Sequence, residues 1–252
     1  MTKYKIVIQY VGTRYAGWQI QKSQTTVQGT IKDAVQAVTA EDASVVGAGR
    51  TDAGVHALRQ VAHFSLAGAG PPGEKPARSP RRLQRSLNAV LPPDIRITSL
   101  TIAHPRFHAQ KDALRKRYEY RIYNGHVLSP FQHGLVNHVI SPLDWRAMQQ
   151  AAQVLQGRHD FSGFAAAASR VKSKERTVFS STIRKKGRLL TYRVEADGFL
   201  HHMVRNIAGT LLQIGAGKRP VQDLQAILKS RDRRKAGPTA PAHSLFLIRI
   251  WY

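Results

Sequence analysis

Apolar and polar side chains alternate from Lys3 to Tyr10, with Ile6, Ile8 and Tyr10 on one face, which predicts a strand. After Thr25 and Thr26 the period lengthens. Val27, Ile31, Ala34, Val35 and Val38 recur at helical spacing, so a helix follows. Further strands are expected near Ser44 to Gly47 and over Val61 to Leu66. A helix on Leu83, Leu87 and Val90 spans Arg81 to Leu91 and stops at Pro92, and a strand covers Ile95 to Ile102. The resulting order is β-α-β-β-α-β.

The pattern then restarts. A strand is predicted at Arg117 to Asn124. A helix opened by Ser141 and Pro142 carries Trp145, Met148, Ala152 and Leu155 up to Gly157. Strands follow at Thr177 to Arg184 and Leu189 to Ala196. Next come a helix on Val204, Ile207, Ala208 and Leu211 ending near Gly215, a short helix at Val221 to Leu228, and a strand at Leu245 to Trp251. The fold class expected is α+β. Two ferredoxin-like or RRM-like β-α-β-β-α-β domains, 1–104 and 105–252, lie in a pseudo-twofold arrangement, with antiparallel sheets, helices on one face and a central basic cleft. The halves share topology and show no residue-level repeat. Gly68 to Pro80 and Phe164 to Lys174 read as basic loops suited to a phosphate backbone.

Charge narrows the function. The 252 residues hold 39 Lys and Arg against 15 Asp and Glu, a formal net charge of +24, which is more than solubility requires and points to a polyanionic partner. No apolar run approaches the ~20 residues of a membrane-spanning helix, and the first residues lack the layout of a signal peptide, so a cytoplasmic protein is expected. With no cysteine there is no disulfide framework, thiolate nucleophile or Cys-based zinc site.

Several motifs carry no chemistry on inspection. "GAGKRP" at Gly215 to Pro220 ends in Arg219 and Pro220 where a phosphate loop needs Ser or Thr, and it follows a helix. His201 and His202, if helical, point about 100° apart and do not share a metal. Asp52, His56 and several serines are present, yet no G-x-S-x-G elbow accompanies them. Asp52 itself stands alone among carboxylates in "GAGRTDAGVHALRQVAHF", framed by Gly47, Gly49 and Gly54 with the Arg50 cation two residues away, and is the candidate nucleophile.

Tyr118 and Tyr120 share one face of a strand while Arg117, Glu119 and Arg121 share the other. Tyrosines in strands usually fill a core, and in a basic protein an aromatic at a cleft can instead stack on an unstacked base. Arg205 begins an otherwise apolar helical face, and a partly buried guanidinium needs a carboxylate. Asp52 is the partner expected.

These motifs resemble the TruA family of tRNA pseudouridine synthases nearly end to end. The resemblance rests on "YVGTRYAGWQIQ", "TVQGTI", "GAGRTDAGVHALRQVAHF", "FHAQKDALRKRYEYRIYN", "GRHDFSGF", "HHMVRNIAGTLLQIGAGKRP" and "TAPAHSLFL". It implies cofactor-free, metal-free isomerisation of uridine to pseudouridine at positions 38, 39 and 40 of the tRNA anticodon arm, by a homodimer. It further implies that Asp52 is the nucleophile, Arg50 takes part in base flipping, and Tyr118 stacks on the uracil. Arg205 pairs with the aspartate and Leu245 lies beneath the base. Phe107, His108, Ala109, Gln110 and Lys111, with Ala168, Ser169, Arg170, Val171 and Lys172, correspond to RNA-contacting stretches. Ser244 stands where family members commonly carry Gly. A noncatalytic RNA-binding protein on the same two sheets is the rival reading, and it gives no reason for the Asp. A membrane-surface binder would need a basic amphipathic helix with exposed aromatics, which the sequence lacks.

Overall fold

The computed structural model describes residues 1–67, 79–166, 171 and 173–252. The chain divides into two compact units, Met1–Leu114 with Leu247–Tyr252, and Arg115–Phe246.

The first unit runs β1 (Thr2–Tyr10), α1 (Val27–Thr39), β2 (Val46–Gly47), β3 (His56–Leu66), α2 (Pro80–Val90) and β4 (Ile95–Ile102), the order expected from the pattern. β1 lies between β4 and β3 and is antiparallel to both. Tyr4, Ile6, Ile8 and Tyr10 are buried on one face of β1, and Tyr4 stacks on Phe64 at 5.6 Å between ring centroids. Val27, Ile31 and Val35 of α1 and Leu83 and Leu87 of α2 complete this core. Thr26 caps α1 by accepting from the Gly29 amide at 3.2 Å.

β3 begins at His56 rather than Val61 because Ala57 and Gln60 pair with Tyr10 and Ile8. Ladder hydrogen bonds, not apolar alternation, extend it. Pro80 opens α2 behind Ser79 instead of closing the preceding loop, as its fixed φ suits a first helical position. The rest of that loop, 68–78, lies outside the described residues. Residues 105–114, assigned by pattern to the second half, pack in the first unit. Lys3 Nζ donates to the Phe107 carbonyl at 3.0 Å, and the Leu114 amide donates to the Trp251 carbonyl at 2.9 Å.

The second unit contains β5 (Arg115–Asn124), β6 (Asn137–Val139), α3 (Trp145–Gln153), β7 (Gly157–Asp160), β8 (Glu175–Lys186), β9 (Leu189–Ala196), α4 (Met203–Gly215) and α5 (Asp223–Ser230). A last strand, β10 (Leu245–Trp251), starts here and ends in residues of the first unit. The strand order is β5-β9-β8-β7, antiparallel throughout. β6 pairs with β5 in parallel, so this sheet is mixed and not the purely antiparallel one expected. β6 and β7 escape sequence reading because three or four residues show no period. α3 opens at Trp145, not near Ser141, because Asp144 Oδ1 accepts from the Arg146 and Ala147 amides at 2.9 and 3.1 Å. Tyr120, Tyr192, Met148, Ile207, Leu211 and Phe161 are among its buried side chains. Among the described residues no helix is long and apolar enough to cross a membrane.

Candidate active site

Asp52 occupies the first position of a tight turn in the first unit. The Val55 amide donates to the Asp52 carbonyl at 3.1 Å, and Gly54 has φ +80°. A glycine in that region at the third position is what a turn of this shape requires, so "DAG" sets the exit of the chain past the carboxylate. Thr51 is buried, Asp52 half-buried and Arg50 exposed. The alternation presents Arg50 to solvent and anchors Thr51 in the interior.

The segment from Tyr10 to Trp18 braces this turn. Tyr10 Oη lies 2.9 Å from Thr51 Oγ1, and the Trp18 amide donates to the Thr51 carbonyl at 3.0 Å. The Gly54 amide donates to the Tyr15 carbonyl at 3.3 Å, and the Gly12 amide to His56 Nδ1 at 2.9 Å. A β-carbon on Gly12 would sit 1.9 Å from the Val55 carbonyl oxygen, and one on Gly17 2.6 Å from that of Thr51. Backbone meets backbone at both places, so only glycine fits. From the other side Gln60 Nε2 donates to the Gly49 carbonyl at 2.9 Å. Tyr15 Oη donates to Asp94 Oδ1 at 2.7 Å, which ties the brace to the start of β4. Burial and the Asp94 partner together raise the Tyr15 hydroxyl pKa to about 12. Sequence reasoning gave none of these bracing roles to Tyr10, Gly12, Gly17, His56 or Gln60. The motif "YVGTRYAGW" was visible as a motif, but its partner lies about forty residues away and only folding brings them together.

In the second unit Tyr118 is buried on β5, edge-on to Phe199 with ring centroids 5.0 Å apart. Tyr120, on the same face, is fully buried, and burial raises the pKa of its hydroxyl. The opposite face of β5 pairs its charges across the ladder to β9. Arg117 Nε donates to Glu195 Oε1 at 2.7 Å, and Arg193 Nε to Glu119 Oε1 at 2.8 Å. Arg205, in the first turn of α4, donates from Nε to the Ala240 carbonyl at 2.8 Å, while the Ala240 amide donates to the Arg205 carbonyl at 3.1 Å. This pair of bonds fixes the guanidinium from behind through the segment that leads to Leu245, which is buried at the start of β10.

His201 and His202 are not helical, contrary to the expectation from sequence. His202 precedes α4 in a left-handed conformation, φ 60°, and the two rings pack with centroids 3.9 Å apart. Ser244 ends a 3-10 turn outside the left-handed region, so its β-carbon imposes no strain where relatives are expected to use glycine.

The segment Phe107 to Lys111 is clamped to the first unit. Ala109 is fully buried. Its amide donates to His63 Nδ1 at 3.1 Å, and its carbonyl accepts from Tyr252 Oη at 2.8 Å. Lys5 Nζ lies 5.0 Å from the Phe107 ring centroid and 4.2 Å from that of Tyr252. Phe107 and His108 are half-buried, whereas Gln110 and Lys111 are exposed. His63, buried beside His108 and Lys3, has its pKa lowered to about 4. Ala168, Ser169, Arg170 and Lys172 lie outside the described residues, and Val171 is exposed.

A family model described as tRNA pseudouridine synthase matches residues 6–110 and 151–252, which takes in the Asp52 turn, its brace, α4 and β10. Tyr118 falls between the two matched segments. Full-length relatives span it. The chain is 44% identical to tRNA pseudouridine synthase A of Thermoanaerobacter pseudethanolicus and 40% identical to that of Acetivibrio thermocellus, in each case over 100% of both chains. It is 45% identical to that of Moorella thermoacetica over 98% of each. Such agreement along the whole length means that this chain belongs to the tRNA pseudouridine synthase family.

Proposed function

We propose that the protein isomerises uridine to pseudouridine at positions 38, 39 and 40 of the tRNA anticodon arm, with Asp52 as the nucleophile. The isomerisation of tRNA uridine follows from the family. The positions and the residue roles are the further reading.

The reaction breaks the bond between ribose C1′ and uracil N1 and forms one from C1′ to C5. The C5 proton leaves and N1 gains one, so atoms and charge balance with no electron acceptor. The chain therefore has to supply a nucleophile, hold the detached uracil while it turns, and take up one proton. Asp52 carries the first task. The target base is stacked inside its helix and must be extruded, and Arg50, exposed beside the turn, occupies the space it leaves. Tyr118 stacks on the uracil and its phenol is the candidate acceptor of the C5 proton. Leu245 supports the base from beneath. Arg205, held by Ala240, pairs with the Asp52 carboxylate.

Phe107, His108, Ala109, Gln110 and Lys111, with the residues Ala168 to Lys172, carry RNA contacts. In the first stretch Gln110 and Lys111 offer exposed side chains on a backbone anchored through Ala109. The two units are read as related α+β domains with a basic cleft for the RNA, working as a cytoplasmic homodimer.

The observation that carries the reading is the brace. An isolated capping aspartate has no need of four hydrogen bonds to the Tyr10–Trp18 segment and two obligatory glycines, whereas a nucleophile must be held in one place. The test uses unmodified tRNA with tritium at uridine C5 and counts label released to water. Wild type is expected to release it and Asp52→Asn to lose release by at least about a thousandfold. Release by Asp52→Asn at the wild-type rate would remove the aspartate from the chemistry. tRNA binding without release by the wild type would leave only an RNA-binding protein. Tyr118→Phe separates stacking from proton transfer: slowed release with unchanged tRNA affinity supports the phenol as base, and an unchanged rate excludes it.

A further inference from the structure

Among the described residues, several arginines pair with a carboxylate of their own or share one within a ladder. Arg14 pairs with Asp94, Arg117 with Glu195, Arg193 with Glu119, Arg158 with Glu175, Arg219 with Asp223, Arg231 with Asp160 and Arg234 with Asp232. The N-terminal half of α2 instead gathers three cations in five residues. Arg81, Arg82 and Arg85 are all exposed, the helix has no acid in its first turn, and among the described residues none of the three meets a carboxylate. Arg81 and Arg85 are one turn apart on the same side, an arrangement in which like charges repel, and cations in a first turn oppose the helix dipole. Three exposed cations within five residues concentrate positive charge that a polyanion would relieve.

The surface is also shaped for one. Arg81, Gln84, Arg85, Asn88 and Ala89 line a groove of about 410 Å³ along α2. Its floor is fixed, because Asn88 Nδ2 and Gln84 Nε2 donate to the Ile97 carbonyl at 2.8 and 2.9 Å and Asn88 Oδ1 accepts from the Ile97 amide at 2.8 Å. These amides close off part of the edge of β4 and lock α2 to it, so the arginines stand on a rigid support. The groove is lined by two guanidinium groups and two amides with no aromatic ring and no acid, a set of donors suited to a run of phosphates.

We infer that Arg81, Arg82 and Arg85 form a docking surface for the phosphate backbone of the tRNA, separate in the chain from the Asp52 turn and from residues 107–111. The inference rests on the tRNA reading of the active site and adds a second place where the substrate is held. Phosphate contacts of this kind fix register without reading sequence, so the surface acts on affinity and orientation.

The experiment measures the Kd of full-length unmodified tRNA at several salt concentrations for wild type, the triple variant Arg81→Gln/Arg82→Gln/Arg85→Gln, single Arg85→Gln and the triple Arg→Lys variant. Loss of two to three phosphate contacts should weaken the glutamine triple variant about tenfold near physiological salt and reduce the slope of log K against log salt by about 2. Arg85→Gln should give a partial loss. The lysine variant, which keeps the charge, should stay close to wild type. An unchanged slope in the glutamine triple variant overturns the inference, as does a loss equally large in the lysine variant. If the variant instead loses binding to anionic phosphatidylserine vesicles with tRNA affinity intact, the surface belongs to lipid and the inference fails. Tritium release by the wild type decides the active-site reading separately, so either proposal can fall while the other stands.

Discussion

The Tyr10 hydroxyl lies 2.9 Å from Thr51 Oγ1, so the last residue of the first strand holds the residue just before Asp52. Both side chains are buried, and removing one partner leaves a buried hydroxyl unmatched. Tyr10→Phe is expected to destabilise the protein by about 1 kcal/mol in urea denaturation. Its tritium-release rate should fall about tenfold through misplacement of the turn, with tRNA affinity retained. Unchanged release would mean that Thr51 is held by its backbone bond to Trp18 alone.

Gly12 and Gly17 make a sharper case, because the atoms a β-carbon would meet are backbone carbonyls that cannot swing away. Gly12→Ala should destabilise by about 3 kcal/mol. Gly187→Ala has open space around its β-carbon and only the left-handed backbone to contend with, so it should lose about 1 kcal/mol. Equal losses in thermal unfolding would show that the brace yields.

His63 gives the protein an acid limb of stability. Its pKa is lowered from 6.5 to about 4 by burial first, then by His108 and Lys3, with Asp112 opposing. The unfolded chain therefore binds the proton more readily than the folded one between those values. Stability contributed by neutral His63 is complete above pH 6.5 and is lost as pH falls from 6.5 towards 4. His63→Gln keeps an acceptor for the Ala109 amide and should flatten the pH dependence of unfolding in that window. A slope identical to wild type there would assign it to other groups.

Ser244 Oγ and Tyr120 Oη are buried beside one another, and neither makes a hydrogen bond of good geometry among the described residues. A buried hydroxyl left unmatched is unfavourable, so its removal relieves the fold. Ser244→Ala should raise stability by about 1 kcal/mol and Ser244→Gly by less, since glycine gains chain entropy on unfolding. A clear loss in Ser244→Ala would reveal a partner for that oxygen.

The pattern of apolar positions was enough to draw β1, α1, β4, β9, α4 and β10 close to their observed limits, because each buries one regular face. It was not enough for β6 and β7, which are shorter than any period, nor for the first residues of β3, where Gln60 and Ala57 are held by pairing with β1. Residues 105–114 read as the opening of a second half, yet their side-chain and backbone partners, Lys3, His63 and Tyr252, lie at distant places in the chain.

The sequence by itself determined the elements with a strong period, the excess of cations and the lone aspartate in its glycine-framed loop, since all three are local or additive properties. Tertiary structure alone decided what holds that aspartate. Gly12 and Gly17 must meet the Val55 and Thr51 carbonyls, and Tyr10 must reach Thr51, across a gap that no local rule spans. It decided equally which arginines are neutralised and which are left on α2, because ion pairs such as Arg117 with Glu195 depend on strand register, which is set by the folded sheet and not by neighbours in the chain.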